Sequence, residues 1–333
     1  MSRRPRIALG IALAALIVAP VEGYLKIGVS DGRTTRVAAW PSQPIRYFVT
    51  DRAGGGLSSA ELRTAVGRAF DTWQAVPTSK AAFEFVGFTL AAPGAEDGLS
   101  TIGFLDRPDL ERTLAVTEFL IDEFTGAIVE SDIFFNSSVS WSVAPGGDVG
   151  RFDLETVAVH EAGHFLGLSH SALGETELRP DGGRRVTAAG TVMFPIAFSP
   201  GSIELRALQP DDVAGASDLY PDGDYETRTG TISGRITKDG RGVQGAHVVA
   251  FHLQTGALVG NFTLGPTGDY AIAGLQPGLH LVRVEPLDDA SIGSFFETED
   301  GIDVDFLVAY ATRLSIVPRG GGVRGVDIRV HPK

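Results

Sequence analysis

The sequence contains no cysteine. Without thiols the chain cannot build a disulfide framework, and it has no site for lipid attachment to an N-terminal cysteine. With 333 residues the protein is nevertheless long enough to bury two hydrophobic cores. We therefore expect its stability to come from side-chain packing alone.

Positive charge is also in short supply. Lys and Arg total 28 against 41 Asp and Glu, which gives a formal net charge of −13. Binding to nucleic acid or to an anionic membrane surface requires a basic face that neutralises phosphates. We therefore expect no nucleic acid among the partners, and the acidity is better explained by solubility outside the cell.

The apolar stretch near the N-terminus is too short for an ordinary transmembrane helix. Basic residues 1–6 precede an apolar run over residues 7–19, and small or permissive residues follow up to Gly23. This order is typical of a secretory signal peptide. We predict a signal peptide over residues 1–23, cleavage near Gly23, and a secreted or periplasmic mature protein without stable membrane insertion. An uncleaved anchor is the alternative.

Histidine is scarce, and the way it is concentrated is the most informative feature of the chain. None of the seven histidines precedes position 160, and three of them lie in the segment HEAGHFLGLSH, residues 160–170. His160 and His164 are four residues apart, so on a helix they share one face and can bind one metal ion. Gly167 can adopt the positive φ that ends a helix and can turn the chain so that His170 reaches the same ion.

Three imidazoles leave the fourth tetrahedral position of Zn²⁺ open, which is typical of catalytic rather than structural zinc sites. Glu161 lies beside the ligands, where it can accept a proton from the attacking water as general base. A chance match in an unrelated helix is the alternative, but the extended pattern specifies five positions. The sequence predicts a zinc hydrolase with Glu161 as the catalytic residue and His160, His164 and His170 as the metal ligands.

The flanking residues favour a helix over this segment. Asp153 is a good N-cap, and no proline interrupts residues 154–169.

These residues resemble the metzincin metallopeptidases and, among them, the matrixins. Residues 191–195, TVMFP, resemble the Met-turn of that family, and residues 208–220, LQPDDVAGASDLY, resemble its last helix. Upstream, AFDTW at residues 69–73 resembles the end of the family's first helix, and residues 126–136 resemble a strand near its cleft. The resemblance covers about residues 24–222.

The resemblance implies that Met193 packs beneath the zinc ligands without binding the metal. The apolar residues after it are expected to form a wall of the substrate pocket and to favour apolar side chains there: Phe194, Pro195, Ile196, Ala197 and Phe198. The resemblance also implies structural calcium, for which the candidate ligands are Asp106, Asp109, Asp122, Glu123, Asp132 and Asp148, although none has a diagnostic spacing. Solvated loop carboxylates are the alternative for each.

Two departures from the matrixin pattern stand out. The link between His170 and Met193 is longer than is usual in matrixins, and we expect the polar, glycine-rich residues 171–190 to form a surface loop beside the cleft. In addition, the absence of cysteine excludes the latency device of many matrixins, in which a thiol binds the zinc.

The order of predicted elements indicates two domains. The sequence predicts an α+β catalytic domain over residues 24–222. Its predicted helices begin after Ser58 and Asp153 and lie near 208–220, and its predicted strands lie near residues 44–49, 83–86, 100–104, 114–117 and 128–135. A polar linker over residues 223–228 follows. Residues 229–333 have short strands with frequent turn signals and resemble a transthyretin-like, carboxypeptidase-regulatory β-sandwich. His247, His252 and His280 in that region lack metal-ligand spacing and are predicted to be structural.

We therefore expect a secreted, zinc-dependent endopeptidase that acts on proteins or peptides, and we expect a monomer. The alternatives are an adhesion protein, or a carbohydrate- or protein-binding protein, whose metal site is vestigial or is carried beside a functional β-sandwich.

Overall fold

The computed structural model describes residues 25–30, 35–110, 113–178, 184–196, 199–287, 292–296 and 299–333. The predicted signal peptide lies outside these ranges. No helix among the described residues is both long enough and apolar enough to cross a membrane.

The first half of the chain is built on a five-stranded sheet. The strands of this half are β1 (Gly28–Ser30), β2 (Thr35–Val37), β3 (Ile45–Thr50), β4 (Phe83–Thr89), β5 (Thr101–Leu105), β6 (Ala115–Ile121), β7 (Ile128–Asn136), β8 (Trp141–Ser142) and β9 (Phe152–Asp153). The sheet order is β4-β3-β5-β7-β6, and its pairs are parallel except β6 with β7. The antiparallel strand β6 therefore forms one edge of the sheet.

Helix α1 (Ser59–Gln74) lies against helix α2 (Leu154–Leu166). The side chains of Ser58 and Glu61 form the capping box expected at the start of α1. Trp73, near the end of α1, is fully buried, and its Nε1–H donates to the carbonyl oxygen of Val159 in α2 at 2.8 Å. This contact joins the two helices within the first core.

Both ends of α2 are defined as the sequence predicts. Asp153 caps the first turn, where its side chain accepts a hydrogen bond from the Thr156 N–H at 2.8 Å. Arg206 pairs with the same carboxylate at 2.6 Å. At the other end Gly167 has a left-handed φ of 106°, and a Cβ there would lie 2.6 Å from the carbonyl oxygen of Ala38. Only glycine fits this turn, which leads to His170.

The expected loop over residues 171–190 is wrong in its secondary structure. Strands β10 (Gly174–Leu178) and β11 (Arg184–Ala189) form an antiparallel hairpin there. Polarity and glycine content predict a loop, but Thr176 and Leu178 alternate with glutamates, and Val186 and Thr187 are residues that favour extended backbone.

The remaining helices are short, and two of them connect the two halves of the chain. Helix α3 spans Pro210–Leu219, and a single helical turn, α4, spans Tyr225–Arg228 within the predicted linker. Two 3₁₀ turns cover Glu204–Arg206 and Ile292–Ser294. Tyr225 is buried, so the segment after residue 222 packs against the protein.

The rest of the chain is rich in β-structure. Its strands are β12 (Gly230–Lys238), β13 (Arg241–Gly242), β14 (His247–His252), β15 (Leu258–Phe262), β16 (Asp269–Leu275), β17 (Gly278–Glu285), β18 (Ala309–Tyr310), β19 (Ser315–Val317), β20 (Gly321–Val323) and β21 (Ile328–Val330). One sheet has the order β13-β12-β16 with β20 and β21 also paired to β12, and the other has β15-β14-β17-β18 with β19 also paired to β17. Residues of both sheets, such as Ile232 and Val248, share one buried core. We call residues 230–333 the C-terminal β-region; its likeness to a transthyretin-like sandwich stays a prediction.

Candidate metal centre

The structure brings the three predicted imidazoles together. His160 and His164 extend from α2, and His170 follows the Gly167 turn. The Nε2 atom of His164 lies 3.1 Å from the Nε2 atoms of both His160 and His170. Two nitrogens that bind one Zn²⁺ at ~2.0–2.1 Å in tetrahedral geometry lie about 3.3–3.4 Å apart. The observed spacing is therefore close to the spacing that a single ion requires.

Each ring is oriented by a backbone carbonyl at its other nitrogen. The Nδ1 atoms of His160, His164 and His170 lie 2.8, 2.8 and 2.7 Å from the carbonyl oxygens of Val192, Leu168 and Ser294, respectively. A carbonyl oxygen only accepts hydrogen bonds, so each Nδ1 carries the proton and each Nε2 presents a lone pair. Three lone pairs that converge on one point repel each other unless a cation lies between them. The donor set therefore fits Zn²⁺.

Burial favours the neutral form of two of these rings, His164 and His170. The pKa of His170 is lowered to about 3, mainly by burial and also by the neighbouring His160, while the hydrogen bond to Ser294 opposes the shift. Burial is also the main reason that the pKa of His164 lies well below its usual value, with smaller contributions from the other two rings. Neutral imidazole is the form that binds a metal ion.

Glu161 is buried beside the ligands. Its Oε2 atom accepts a hydrogen bond of 2.6 Å from the hydroxyl of Thr117 on the edge strand β6. Burial raises the pKa of Glu161, whereas His160 and the Thr117 hydrogen bond lower it. A carboxylate whose pKa is raised towards neutrality is suited to exchange protons in a reaction at neutral pH.

Met193 lies in the turn that follows the β10–β11 hairpin and is fully buried. A Cβ at Gly163 of α2 would overlap the Met193 sulfur and would lie 2.7 Å from the Trp73 ring. The lack of a side chain at Gly163, between the first two ligands in the sequence, is therefore what allows Met193 to pack against the helix.

Asp212 at the start of α3 holds the turn in place. Its buried carboxylate accepts hydrogen bonds from the hydroxyl of Thr191, from the Val192 N–H at 2.9 Å and from the Met193 N–H at 3.1 Å. Because the Val192 carbonyl orients His160, α3 is connected to the metal centre through this turn.

The predicted pocket residues are only partly described. Phe194 is buried, and its ring packs closely against Gly174 of the hairpin. Pro195 and Ile196 are half-buried, while Ala197 and Phe198 lie outside the described residues. Their role in a substrate pocket stays a prediction.

The six candidate calcium ligands do not come together. Within the described ranges, the one group of three or more His, Asp or Glu side chains with ligand atoms within 4.8 Å of one another is the histidine triad. Asp109 pairs with Arg107 at 2.9 Å, and Asp132 accepts the N–H groups of Gly94 and Thr101 at 2.5 and 2.7 Å. Calcium stays a prediction.

The three histidines of the C-terminal β-region make protein contacts. His247 pairs with Glu285 at 3.0 Å, and His252 accepts hydrogen bonds from the N–H groups of Gln254 and Thr255. The His252 and His280 rings pack edge to face at 4.7 Å.

Three contributors to the centre escaped the sequence reasoning. Thr117 is predicted only as a strand residue, and the carbonyl of Ser294 comes from a different region of the chain. Asp212 lies in the segment that resembles the last matrixin helix, with no role predicted for it. No local pattern marks the first two, because each reaches the site through tertiary structure. The paired aspartates after Pro210 are a signal that could have indicated the third.

Comparison with known proteins agrees with this geometry. Residues 39–180 match the matrixin family model. The match includes α1, the first sheet and all three histidines of the motif, but it covers less than half of the chain. It supports a matrixin-like peptidase domain with an α+β fold in the first half of the protein.

Individual metalloproteinases are also similar to this chain, at low sequence identity. Matrix metalloproteinase-16 of Rattus norvegicus is 36% identical over 138 residues, which cover 40% of this chain and 22% of that protein. The 2-MMP metalloendoproteinase of Arabidopsis thaliana is 32% identical over 169 residues, covering 48% and 37%. Interstitial collagenase of Oryctolagus cuniculus is 27% identical over 165 residues, covering 49% and 29%. The chain thus spans well under half the length of these relatives.

Proposed function

We propose that this protein is an exported, zinc-dependent endopeptidase that hydrolyses peptide bonds in protein or peptide substrates. The observation that carries the proposal is the convergence of three imidazoles beside a buried glutamate, with the His164 Nε2 atom 3.1 Å from the Nε2 atoms of both His160 and His170. The matrixin match over residues 39–180 supports the same reaction class.

His160, His164 and His170 would hold the metal ion as neutral ligands. When bound by three protein ligands, Zn²⁺ lowers the pKa of a bound water to about 7 and polarises the carbonyl of the substrate. The protein supplies the orientation of each ring through the Nδ1–H hydrogen bonds, and it supplies the surrounding apolar shell.

Glu161 acts as the proton carrier. In its ionised form it accepts a proton from the attacking water, and it then gives this proton to the nitrogen of the leaving amine. Burial suits Glu161 to this cycle, because a carboxylate with a raised pKa accepts the water's proton more readily and holds it until the leaving nitrogen takes it. The Thr117 hydroxyl holds the carboxylate in position.

The edge strand β6 offers a place for an extended substrate. It pairs only with β7 within the described sheet, and it carries Thr117, which contacts Glu161. A peptide that adds to the free edge by main-chain hydrogen bonds would therefore lie beside the metal centre. The same proposal includes a substrate pocket, lined by Phe194, Pro195 and Ile196, that prefers apolar side chains.

The alternative is an adhesion or binding protein with a vestigial metal site. The buried and hydrogen-bonded Glu161 favours the enzyme, since a site that only holds a metal ion has no need of a positioned base. We also expect the protein to be secreted, because basic residues precede an apolar run at its N-terminus. Structural calcium is a further expectation.

The test is the Glu161→Gln variant of the full chain. We expect it to bind zinc like the parent and to lose about 10²–10⁴-fold in peptide cleavage, because the ligands remain while the base is lost. Glu155→Gln is the matched control, since it removes a carboxylate from the same helix at a position that pairs with Arg68. Cleavage by Glu161→Gln at the rate of the control would refute the proposed role of Glu161.

A further inference from the structure

The third ligand is oriented by a part of the chain that is distant in sequence from both the motif and the Met193 turn. The carbonyls that accept from His160 and His164 belong to residues near the motif and the Met193 turn, but His170 donates to Ser294 in the C-terminal β-region. We infer that the C-terminal β-region completes the metal centre, with residues 292–296 as the element that positions His170. This inference builds on the proposed zinc site.

Phe295 holds this element in place. Its side chain is buried, its ring centroid lies 6.4 Å from that of His170 in an edge-on arrangement, and it packs 5.6 Å from the ring of Phe262 on β15. The hydrophobic cluster around it combines both halves of the protein, since Leu25 is one of its buried members and Ala172 packs against it. The 3₁₀ turn that presents the Ser294 carbonyl is therefore anchored in a shared core next to the ligand.

A second connection reaches the residue after His170. The Asp211 side chain in α3 is fully buried. It accepts a hydrogen bond from the Ser171 hydroxyl at 2.6 Å and one from the Gly260 N–H of β15 at 2.8 Å. The segment that carries His170 is thus connected through one side chain to the backbone of the C-terminal β-region.

His170 depends on such support more than the other two ligands do. His160 and His164 are held by the helix, whereas His170 follows its end and takes its orientation from tertiary contacts. Loss of a hydrogen-bond partner behind a metal-binding histidine typically weakens metal affinity by about 10–100-fold. A fragment that ends near residue 222 would lack Ser294, Phe295 and Gly260 together.

The test measures zinc affinity of full-length variants by competition with a chromogenic chelator, without substrate. Phe295→Ala is expected to raise the zinc Kd by about 10–100-fold. Phe306→Ala is the matched control, because Phe306 is also fully buried but packs in the core between the two C-terminal sheets. The control should keep the Kd of the parent within about twofold, although both variants lose a buried ring of the same size.

A milder variant covers the case in which Phe295→Ala does not fold. Ser171→Ala removes the hydrogen bond to Asp211 with little change in volume, and it should also raise the zinc Kd. The visible spectrum of the cobalt-substituted protein should change in Phe295→Ala and Ser171→Ala but not in the control.

The outcomes separate this inference from the proposed function. A parent that binds no zinc refutes the proposed function itself. A parent that binds zinc, with Phe295→Ala and Ser171→Ala binding it equally well, overturns the inference alone. Equal weakening in Phe306→Ala also overturns it, because the effect would then follow general stability.

Discussion

Replacing Gly163 with alanine tests how closely Met193 packs against the helix that carries His160 and His164. In an open helical position Gly→Ala stabilises a protein by roughly 0.5–1 kcal/mol, because alanine loses less backbone entropy on folding. At position 163 the new methyl group would overlap the Met193 sulfur and lie 2.7 Å from the Trp73 ring, and both neighbours are buried. Overpacking of this kind destabilises by about 1–3 kcal/mol. We expect a net loss of roughly 1–2 kcal/mol in the free energy of unfolding.

Gly67→Ala in α1 is the matched control. It is the same substitution in a helix, and a Cβ there would meet nothing within 4 Å. Urea denaturation followed by circular dichroism should show Gly67→Ala to be more stable than the parent and Gly163→Ala to be less stable. Equal stabilisation of the two variants would refute the packing argument and, with it, the reason given for glycine at position 163.

Two further predictions concern protonation. The Thr117 hydrogen bond lowers the pKa of Glu161, so Thr117→Val should move the acid limb of the kcat/KM profile to higher pH. Thr117→Ser keeps the hydroxyl and should keep the parent profile. An acid limb that does not move in Thr117→Val would count against the contact. Burial raises the pKa of Asp132 from 3.8 to about 7, so the folded protein favours its protonated form. The stability from this group is fully present below pH ~4 and is lost as the pH rises through about 7, by at most roughly 4 kcal/mol. In calcium-free buffer Asp132→Asn should therefore show a shallower decline in unfolding free energy between pH 4 and pH 7, and parallel curves for variant and parent would contradict the assignment.

The sequence predicted those parts of the centre that depend on short-range geometry. The positions of His160, His164 and Glu161 follow from one helix, and His170 follows from a glycine turn, so spacing alone indicates that they can meet. The capping residues Ser58 and Asp153 accept hydrogen bonds from N–H groups three residues further along the chain, so the sequence predicts them equally well.

The remaining parts depend on contacts between distant segments. Thr117 reaches Glu161 because β6 lies at the sheet edge next to α2, and Ser294 reaches His170 across 124 residues of chain. Neither residue type suggests a role at a metal centre. Polarity and glycine content predict a loop where Gly174–Leu178 pairs with Arg184–Ala189, because the charged residues of both strands obscure the residues able to form strands.

The identity and geometry of the bound metal test the central claim most directly. X-ray absorption spectroscopy and metal analysis of the purified full-length protein should give one zinc per chain with three imidazole nitrogens at ~2.0–2.1 Å, and His170→Ala should lose one of those nitrogen ligands. A protein that contains no zinc when purified and binds none when zinc is added would contradict the account. An absorption spectrum of the bound zinc that is unchanged in His170→Ala would contradict it as well.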